Sequence, residues 1–295
     1  MPCFHPVAAW QAKDGSIVFS ERLAPDGRSL NLPCGRCVGC RLERSRQWAV
    51  RCVHESKSHE ANSFITLTYD DDHLPSDRSL NYEHFQRFIK RLRKRHKVRF
   101  YMCGEYGDEF DRPHFHACIF GYDFAGDRVV WKRNNGFTLF RSQELEALWP
   151  YGFTTVAEFN FETAAYTARY IMKKITGDLA EDHYRYVDPD TGEIFDRVPE
   201  FNRMSLKPGI GGHFYDRFSS DIFPHDYVVV NGVRAKPPRY YDKMLKRFDE
   251  ETFDFIKEER EYKASLNRLD NTFDRLGVKE QVAVARISTL KRSLK

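Results

Sequence analysis

Between residues 59 and 177 the apolar positions switch between two spacings, every second residue and every third or fourth. Phe64-Ile-Thr-Leu-Thr-Tyr69 is rich in β-formers, with threonines at alternate positions, and predicts a strand. Asn81 is placed to cap a helix in which Phe85, Phe88, Ile89 and Leu92 follow the i, i+3, i+4, i+7 spacing of one apolar face. Val98–Cys103, His114–Phe120 and Gly152–Phe159 read as further strands. A short helical pattern covers Ser142–Trp149, and Asn160 caps a helix expected to run to about Ile175. Strands and helices mixed at hairpin-length gaps predict an α+β fold on a mostly antiparallel sheet.

The flanks are less regular. Residues 1–58 read as an irregular, cysteine-bearing element that ends in an Arg-rich helix; 59–177 read as the core; 178–295 read as a linker and a helical C-terminal region. In that last region Met244, Leu245, Phe248, Phe253 and Ile256 are the expected packing positions of helical sequence from Arg239 to about Leu276. Lys207-Pro-Gly-Ile-Gly-Gly212 lacks a phosphate-loop pattern and predicts a turn near a DNA path. No internal repeat is present.

Composition narrows the class. A hydrophobic fraction of 41% with 15% aromatics fits a folded chain rather than a disordered one. The net charge of +4 says little, but its distribution says more. From His84 to Tyr101 every charged side chain is basic: Arg87, Lys90, Arg91, Arg93, Lys94, Arg95, Lys97 and Arg99. Such a stripe attracts phosphate backbones, and it is also what a solvated helix face looks like. Together with Arg36, Arg41, Arg44 and Arg46 it is a candidate DNA track. Tyr101, on the strand face shared with Thr66 and Thr68, is a candidate stacking platform for bases. No signal peptide or membrane span is evident, so the expectation is a cytoplasmic protein without a membrane partner. Seven cysteines in a reducing compartment then read as thiols or metal ligands.

Three motifs carry chemistry. In Arg112-Pro-His-Phe-His-Ala-Cys-Ile-Phe120 the strand period turns His114 and His116 to one face, close enough to share a cation. Glu105, on or just past the preceding strand, is brought alongside by a hairpin; Asp108, Glu109 and Asp111 are alternative carboxylates. Two imidazoles and a carboxylate suit a catalytic divalent ion, Mg²⁺ or Mn²⁺, with Zn²⁺ left open. Cys103 and Cys118, and likewise Cys52, read as core residues. In Ala164-Ala-Tyr-Thr-Ala-Arg-Tyr-Ile-Met-Lys-Lys174 a helix sets Tyr166, Tyr170 and Lys173 on one face. A tyrosine so placed is a packing residue or, once activated, a nucleophile. Cys34-Gly-Arg-Cys-Val-Gly-Cys40 supplies three thiols at two-residue gaps, with Cys3 as a fourth ligand and His5 as the alternative. That set suits a closed structural Zn²⁺ site; an iron–sulfur cluster uses similar spacing, but nothing else points to redox work.

Taken together, His114-Phe-His116 followed by Tyr170-Ile-Met-Lys173 resembles the HUH endonucleases that start rolling-circle replication. Histidines before tyrosine is the order of the replication initiators. The strand at 64–69 is similar to that family's first motif, and Tyr166 to the extra tyrosine of its two-tyrosine subgroup. The cysteine-rich leader, Gly104-Glu-Tyr-Gly107 and Lys207-Pro-Gly-Ile-Gly211 are similar to the replication initiators of microviruses, the gokushovirus branch of small single-stranded DNA phages. The resemblance covers roughly residues 1–215. It implies an HUH fold with a central sheet flanked by helices, and a metal held by His114, His116 and Glu105. It further implies attack by Tyr166 or Tyr170 on the scissile phosphate, with Lys173 positioning the tyrosine, to leave a 5′-phosphotyrosine and a free 3′-OH. Its implied partners are single-stranded DNA at the phage origin and host helicase and polymerase, in the cytoplasm of a bacterial host. The competing readings are a non-enzymatic zinc-containing nucleic-acid binder, an HUH plasmid initiator or transposase, and a metal-dependent hydrolase that activates water.

Overall fold

A computed structural model describes residues 3–107, 111–134, 137–169, 177, 179–189 and 191–289. In chain order, strands β1 (Val7–Gln11), β2 (Ile17–Val18) and β3 (Arg28–Leu32) precede helix α1 (Val38–Ser56). Then come β4 (Asn62–Tyr69), α2 (Tyr82–Arg93), β5 (Arg99–Tyr106), β6 (Pro113–Phe120), β7 (Val129–Asn134) and β8 (Phe137–Arg141). They lead to α3 (Gln143–Leu148), β9 (Gly152–Glu158) and α4 (Phe161–Arg169). Beyond these lie α5 (Leu179–Tyr184), the hairpin β10 (Arg185–Val187) and β11 (Ile194–Asp196), and β12 (Phe201–Met204). The chain continues through α6 (Gly212–Ile222), a hairpin of β13 (Val228–Val230) and β14 (Val233–Ala235), α7 (Arg239–Phe248), α8 (Glu250–Ser265) and α9 (Phe273–Thr289).

The chain forms two compact units, one from Met1–Arg44 and Asp254–Arg292 and one from Ser45–Phe253. The first holds a three-stranded antiparallel sheet in the order β2-β1-β3, with Ala9 fully buried. The expected irregular leader is therefore partly sheet. Its strands run to at most five residues, too short to mark a sheet by pattern alone. Within this unit Arg28 pairs with Glu261 and His5 with Glu280.

The second unit is built on a seven-stranded sheet in the order β12-β5-β6-β4-β9-β8-β7, with every neighbouring pair antiparallel. An α+β fold on a large antiparallel sheet is thus what the molecule has. One face is covered by α2, whose Phe85, Phe88, Ile89 and Leu92 all point inward. Asn81 starts that helix by accepting from the Glu83 amide, and three basic residues close its last turn, where they oppose the helix dipole. Those side chains meet Ile65 and Leu67 of β4, Phe115 and Ala117 of β6, and Leu145, Leu148 and Trp149 from α3 and its end. Each fully buried Phe or Leu here is worth about 1.5–3 kcal/mol.

The opposite face carries a second cluster, in which Ala49 and Cys52 of α1 and Ala164 and Ala168 of α4 lie on Phe64, Tyr101 and Cys118. Small helix residues let both backbones come close to the sheet. Gly152, at φ +140°, opens β9 where any Cβ would run into the backbone at Asp70. Cys52, Cys103 and Cys118 are core residues, as the sequence indicates.

Two charged tethers hold the C-terminal part of this unit in place. Glu55, fully buried on α1, pairs with Arg99 and accepts from the Gly211 amide at 2.6 Å. Arg99 also donates to the Lys207 and Pro208 carbonyls, and Arg51 to the Ile210 carbonyl at 2.9 Å. The Lys207–Gly212 turn is thereby an anchored structural element. In the C-terminal helices Leu245 and Ile256 are buried as expected, whereas Phe248 is 69% exposed and Tyr241 takes the buried place. Tyr241 packs under α1, its hydroxyl 2.8 Å from His54 Nδ1, while Phe214 stacks on the same imidazole at 3.8 Å.

Burial, with Lys57 nearby, pushes His54 down to about 4, from 6.5 for an ordinary imidazole. Between those values the unfolded chain binds a proton that the folded one does not, so stability falls as pH drops through this window. From pH 7 to pH 5 the loss is about 2 kcal/mol. Urea titrations at the two pH values are expected to show it for the natural chain. The difference between pH values should shrink by that amount in His54→Gln, whose absolute stability is lower. An unchanged pH difference in the variant would rule out His54 as the sensor.

Candidate metal centre and tyrosine helix

The register between β5 and β6 sets Glu105 opposite His114 and Cys103 opposite His116. Paired residues share a sheet face and alternate residues return to it, so Glu105, His114 and His116 converge. Glu105 Oε1 lies 2.7 Å from His114 Nε2 and 2.9 Å from His116 Nε2. The two imidazoles meet edge to face, their centroids 4.9 Å apart. Glu105 and His116 are buried, and His114 is half-buried at the open side.

The other ring nitrogens fix how the rings present themselves. His114 Nδ1 is 3.0 Å from the Arg112 carbonyl, which can only accept, so Nδ1 carries the proton. Nε2 then faces the Glu105 carboxylate either as a bare lone pair or as part of an imidazolium. A lone pair against a carboxylate is repulsive, so the site needs a positive charge, from a proton or from a metal ion. His116 Nδ1 is held by Thr66 Oγ1 at 2.9 Å, and Phe64 stacks on that ring at 5.4 Å. Burial would raise the Glu105 pKa, but hydrogen bonds from His114 and His116 and their nearby charge outweigh it and hold the carboxyl at about 2. One ligand atom from each of the three side chains falls within 4.8 Å of the others, a spacing that could hold one cation. Two nitrogens, one carboxylate and an open side form a donor set fit for a divalent ion that keeps free positions for substrate.

Helix α4 brings Tyr166 to this centre. Asn160 Oδ1 accepts from the Thr163 amide at 2.8 Å while Thr163 Oγ1 accepts from the Asn160 amide at 2.9 Å, a reciprocal cap. Thr163, Ala164, Thr167 and Ala168 are buried, which settles the helix on the sheet. Tyr166, one step round from that buried face, lies edge-on to His116 with ring centroids 5.2 Å apart, and edge-on to Phe64 at 6.0 Å. Tyr170 and Lys173 lie outside the described residues.

In the first unit, Cys3, Cys34, Cys37 and Cys40 bring their sulfurs within 4.8 Å of one another, and all four are free of disulfides. Backbone amides donate into the cluster: Cys34 to Cys3 Sγ and Cys37 to Cys34 Sγ, both at 3.3 Å, and Phe4 to Cys37 Sγ at 3.4 Å. Burial works against ionisation, yet the Phe4 and Cys40 amides, with the Cys34 and Cys40 thiols, bring Cys37 down to about 6. Burial and the adjacent Cys3 and Cys37 sulfurs push Cys40 up to about 12. Four sulfurs this close, prepared by amide donors, fit a thiolate-binding cation. His5, the alternative ligand, is turned to Glu280 at 2.7 Å.

Other placements differ from the sequence reading. The basic stripe on α2 covers the sheet face opposite the histidines, and much of it is used internally. Arg91 caps the Leu148 carbonyl, Arg93 the Val98 carbonyl, and Arg95 pairs with Glu144. Tyr101 shares the face of the histidines but is fully buried under Trp48, 4.8 Å between ring centres, and so offers no platform to a base. Thr66 and Arg112 orient the histidines, a role the sequence reading gave to neither. Their only signal was position, one strand across from His116 and two residues before His114. Arg112 also donates to the Tyr69 carbonyl at 3.0 Å and pairs with Asp71, which ties the start of β6 to the end of β4.

Comparison with known proteins follows this geometry. A family model described as Replication-associated protein ORF2/G2P matches residues 62–175, the stretch that carries the histidine strand and the tyrosine helix. Replication-associated protein VP4 of Bdellovibrio phage phiMH2K is 33% identical over 259 residues, covering 84% of this chain and 78% of that protein. Replication-associated protein ORF2 of Spiroplasma virus 4 is 34% identical over 248 residues, 78% of this chain and 73% of that one. Replication-associated protein ORF4 of Chlamydia phage 1 is 31% identical over 77% of this chain and 56% of its own length. No solved structure matches. At this identity and coverage the chain belongs to the microvirus-type family of replication-associated proteins.

Proposed function

We propose that this protein is an HUH endonuclease that nicks and rejoins single-stranded DNA at a phage origin, starting and ending rolling-circle replication. The observation that carries the reading is Tyr166 seated on a capped helix, edge-on to His116 of a Glu105–His114–His116 centre. A phenol beside a cation-binding site at a sheet face is the arrangement phosphoryl transfer to tyrosine requires.

A divalent ion, Mg²⁺ or Mn²⁺, bound by Glu105, His114 and His116 would supply Lewis-acid activation of the scissile phosphate. Thr66 and the Arg112 carbonyl keep both Nε2 atoms aimed into the centre. Glu105 stays ionised throughout the neutral range, so the centre holds a fixed negative charge. In the reaction a tyrosine Oη bonds to phosphorus, its proton leaves, and the bond from phosphorus to the 3′ oxygen breaks. The products are a 5′-phosphotyrosine and a 3′-OH, and the retained ester energy lets a later 3′-OH reverse the step. Tyr166 is one nucleophile in this scheme and Tyr170 the other, with Lys173 lowering the cost of the phenolate. The free 3′-OH would serve host polymerase, with host helicase opening the duplex. The cysteine cluster would take a structural Zn²⁺ that ties the N-terminal residues to the start of α1 and the residues just before it.

Three outcomes test these assignments. With Mn²⁺ and labelled single-stranded fragments of the source genome, label should migrate with the protein on a denaturing gel and vanish in Tyr166→Phe/Tyr170→Phe. Cleavage without an adduct would show a water-activating nuclease instead. His114→Ala and His116→Ala are each expected to slow nicking roughly a hundred-fold or more with the fold intact by circular dichroism. Rates within a few-fold of the natural chain would remove the metal centre from the reaction. Metal analysis of protein purified without chelators should give zinc that is lost in Cys34→Ser and kept in His114→Ala/His116→Ala. Zinc absent from the natural chain, or lost only with the histidines, would end the structural-zinc assignment.

A further inference from the structure

The β7–β8 hairpin has no part in the reaction as described. β8 joins the sheet through only two pairs, Leu139 with Ala157 and Phe140 with Val156 of β9. Those two side chains pack against the clusters on opposite sheet faces, so they anchor the ribbon at its base. Among the described residues β7 is the edge strand and pairs with β8 alone, and past the anchor each strand of the ribbon has only the other for a sheet partner.

The register between the two strands shifts between Val130 and Lys132, which leaves Trp131 as the bulged residue. A bulge re-aims a side chain and twists the ribbon, and it recurs where a strand serves function rather than packing. Trp131 is 55% exposed, while Trp149 is fully buried and Trp10 and Trp48 are half-buried. Lys132 and Arg133, next along the strand, are exposed as well. From Arg128 to Arg141 the sequence has four cations and no carboxylate. At the base Arg128 and Arg141 pair with Asp123 and Glu146, which leaves Lys132 and Arg133 as the charge of the outer ribbon.

We propose that this ribbon is a second contact for single-stranded DNA, in which Trp131 stacks on an unpaired base while Lys132 and Arg133 hold the neighbouring phosphates. An aromatic face set among cations is the chemistry that binds single strands without reading sequence. A second copy of the chain fits less well, because pairing two such edges would set Lys132 and Arg133 against their own likes. From the proposed function the inference borrows only that the substrate is single-stranded DNA.

The test is fluorescence anisotropy of a labelled oligothymidylate with the full-length chain. Trp131→Ala is expected to weaken binding roughly ten-fold, the loss of one base stack, and Trp131→Phe to recover most of it. Lys132→Ala/Arg133→Ala should lower the slope of log affinity against log salt by about 1.4, two phosphates' worth. DNA should quench tryptophan emission in the natural chain and much less in Trp131→Phe. Adduct yield at saturating origin DNA should stay unchanged in all three variants. Unchanged affinity and salt slope would overturn the proposal. So would unchanged affinity together with a dimer that Trp131→Ala converts to monomer in sedimentation, which would assign the edge to a second copy. A chain that neither cleaves nor forms an adduct with any fragment, yet shows these ribbon-dependent affinities, would defeat the nuclease reading and leave the ribbon's role standing.

Discussion

The hydrogen-bond register that sets Glu105 across from His114 and Cys103 across from His116 is the constraint on which the centre depends. A slip of one residue between β5 and β6 would send the carboxylate to the opposite face, into the apolar layer under α2. That register is held from several directions. Phe115 and Ala117, between and beyond the histidines, are fully buried against α2 and α3, so β6 cannot turn over without exposing them. Gly104, beside Glu105, lets the Phe115 ring and Leu80 approach where a Cβ would sit 3.2 and 3.1 Å from them. On the far side of β6, β4 pairs Thr66 with His116, so one side chain helps fix both the strand alignment and the orientation of the ring.

The two sheet faces divide the work. The α2 face is a conventional apolar core of large side chains. The other is covered by helices that present small ones, and α4 lies low enough for Tyr166 to reach the edge of the His116 ring. Placing a buried carboxylate there is costly unless charge compensates it. The two histidines supply that compensation when protonated, and a bound cation supplies it when they are neutral. Folding of the strand pair and binding of a cation therefore draw on the same electrostatic need.

Much of this was legible in the sequence because it is local. His-x-His on a strand determines a shared face, and a short hairpin brings Glu105 beside it; both follow from a period of two residues. The Asn81 and Asn160 caps are equally local, and both are made. What failed was non-local. The alternation that places Tyr101 on the histidine face says nothing of Trp48, which arrives from α1 to cover it. The basic run at 87–99 announces charge but not which sheet face its helix takes, nor that Arg91, Arg93 and Arg99 are spent on carbonyls and on Glu55. The three-stranded N-terminal sheet went unread because its strands are at most five residues long, and the β7–β8 hairpin because Val129–Asn134 breaks the alternation with a bulge.

Charge on the surface of this unit accordingly carries less information than its sign count implies. Arg51, Arg93 and Arg99 all lie in basic stretches, yet they hold the chain at Ile210, at Ser205 and at Pro208. A guanidinium that donates to two carbonyls and a carboxylate, as Arg99 does, has each of its nitrogens engaged, and turning it to a phosphate would cost those bonds. The residues available to an anionic polymer are those whose neighbours make no such demand. This criterion, rather than density of Lys and Arg, takes Arg91, Arg93 and Arg99 out of the candidate phosphate track.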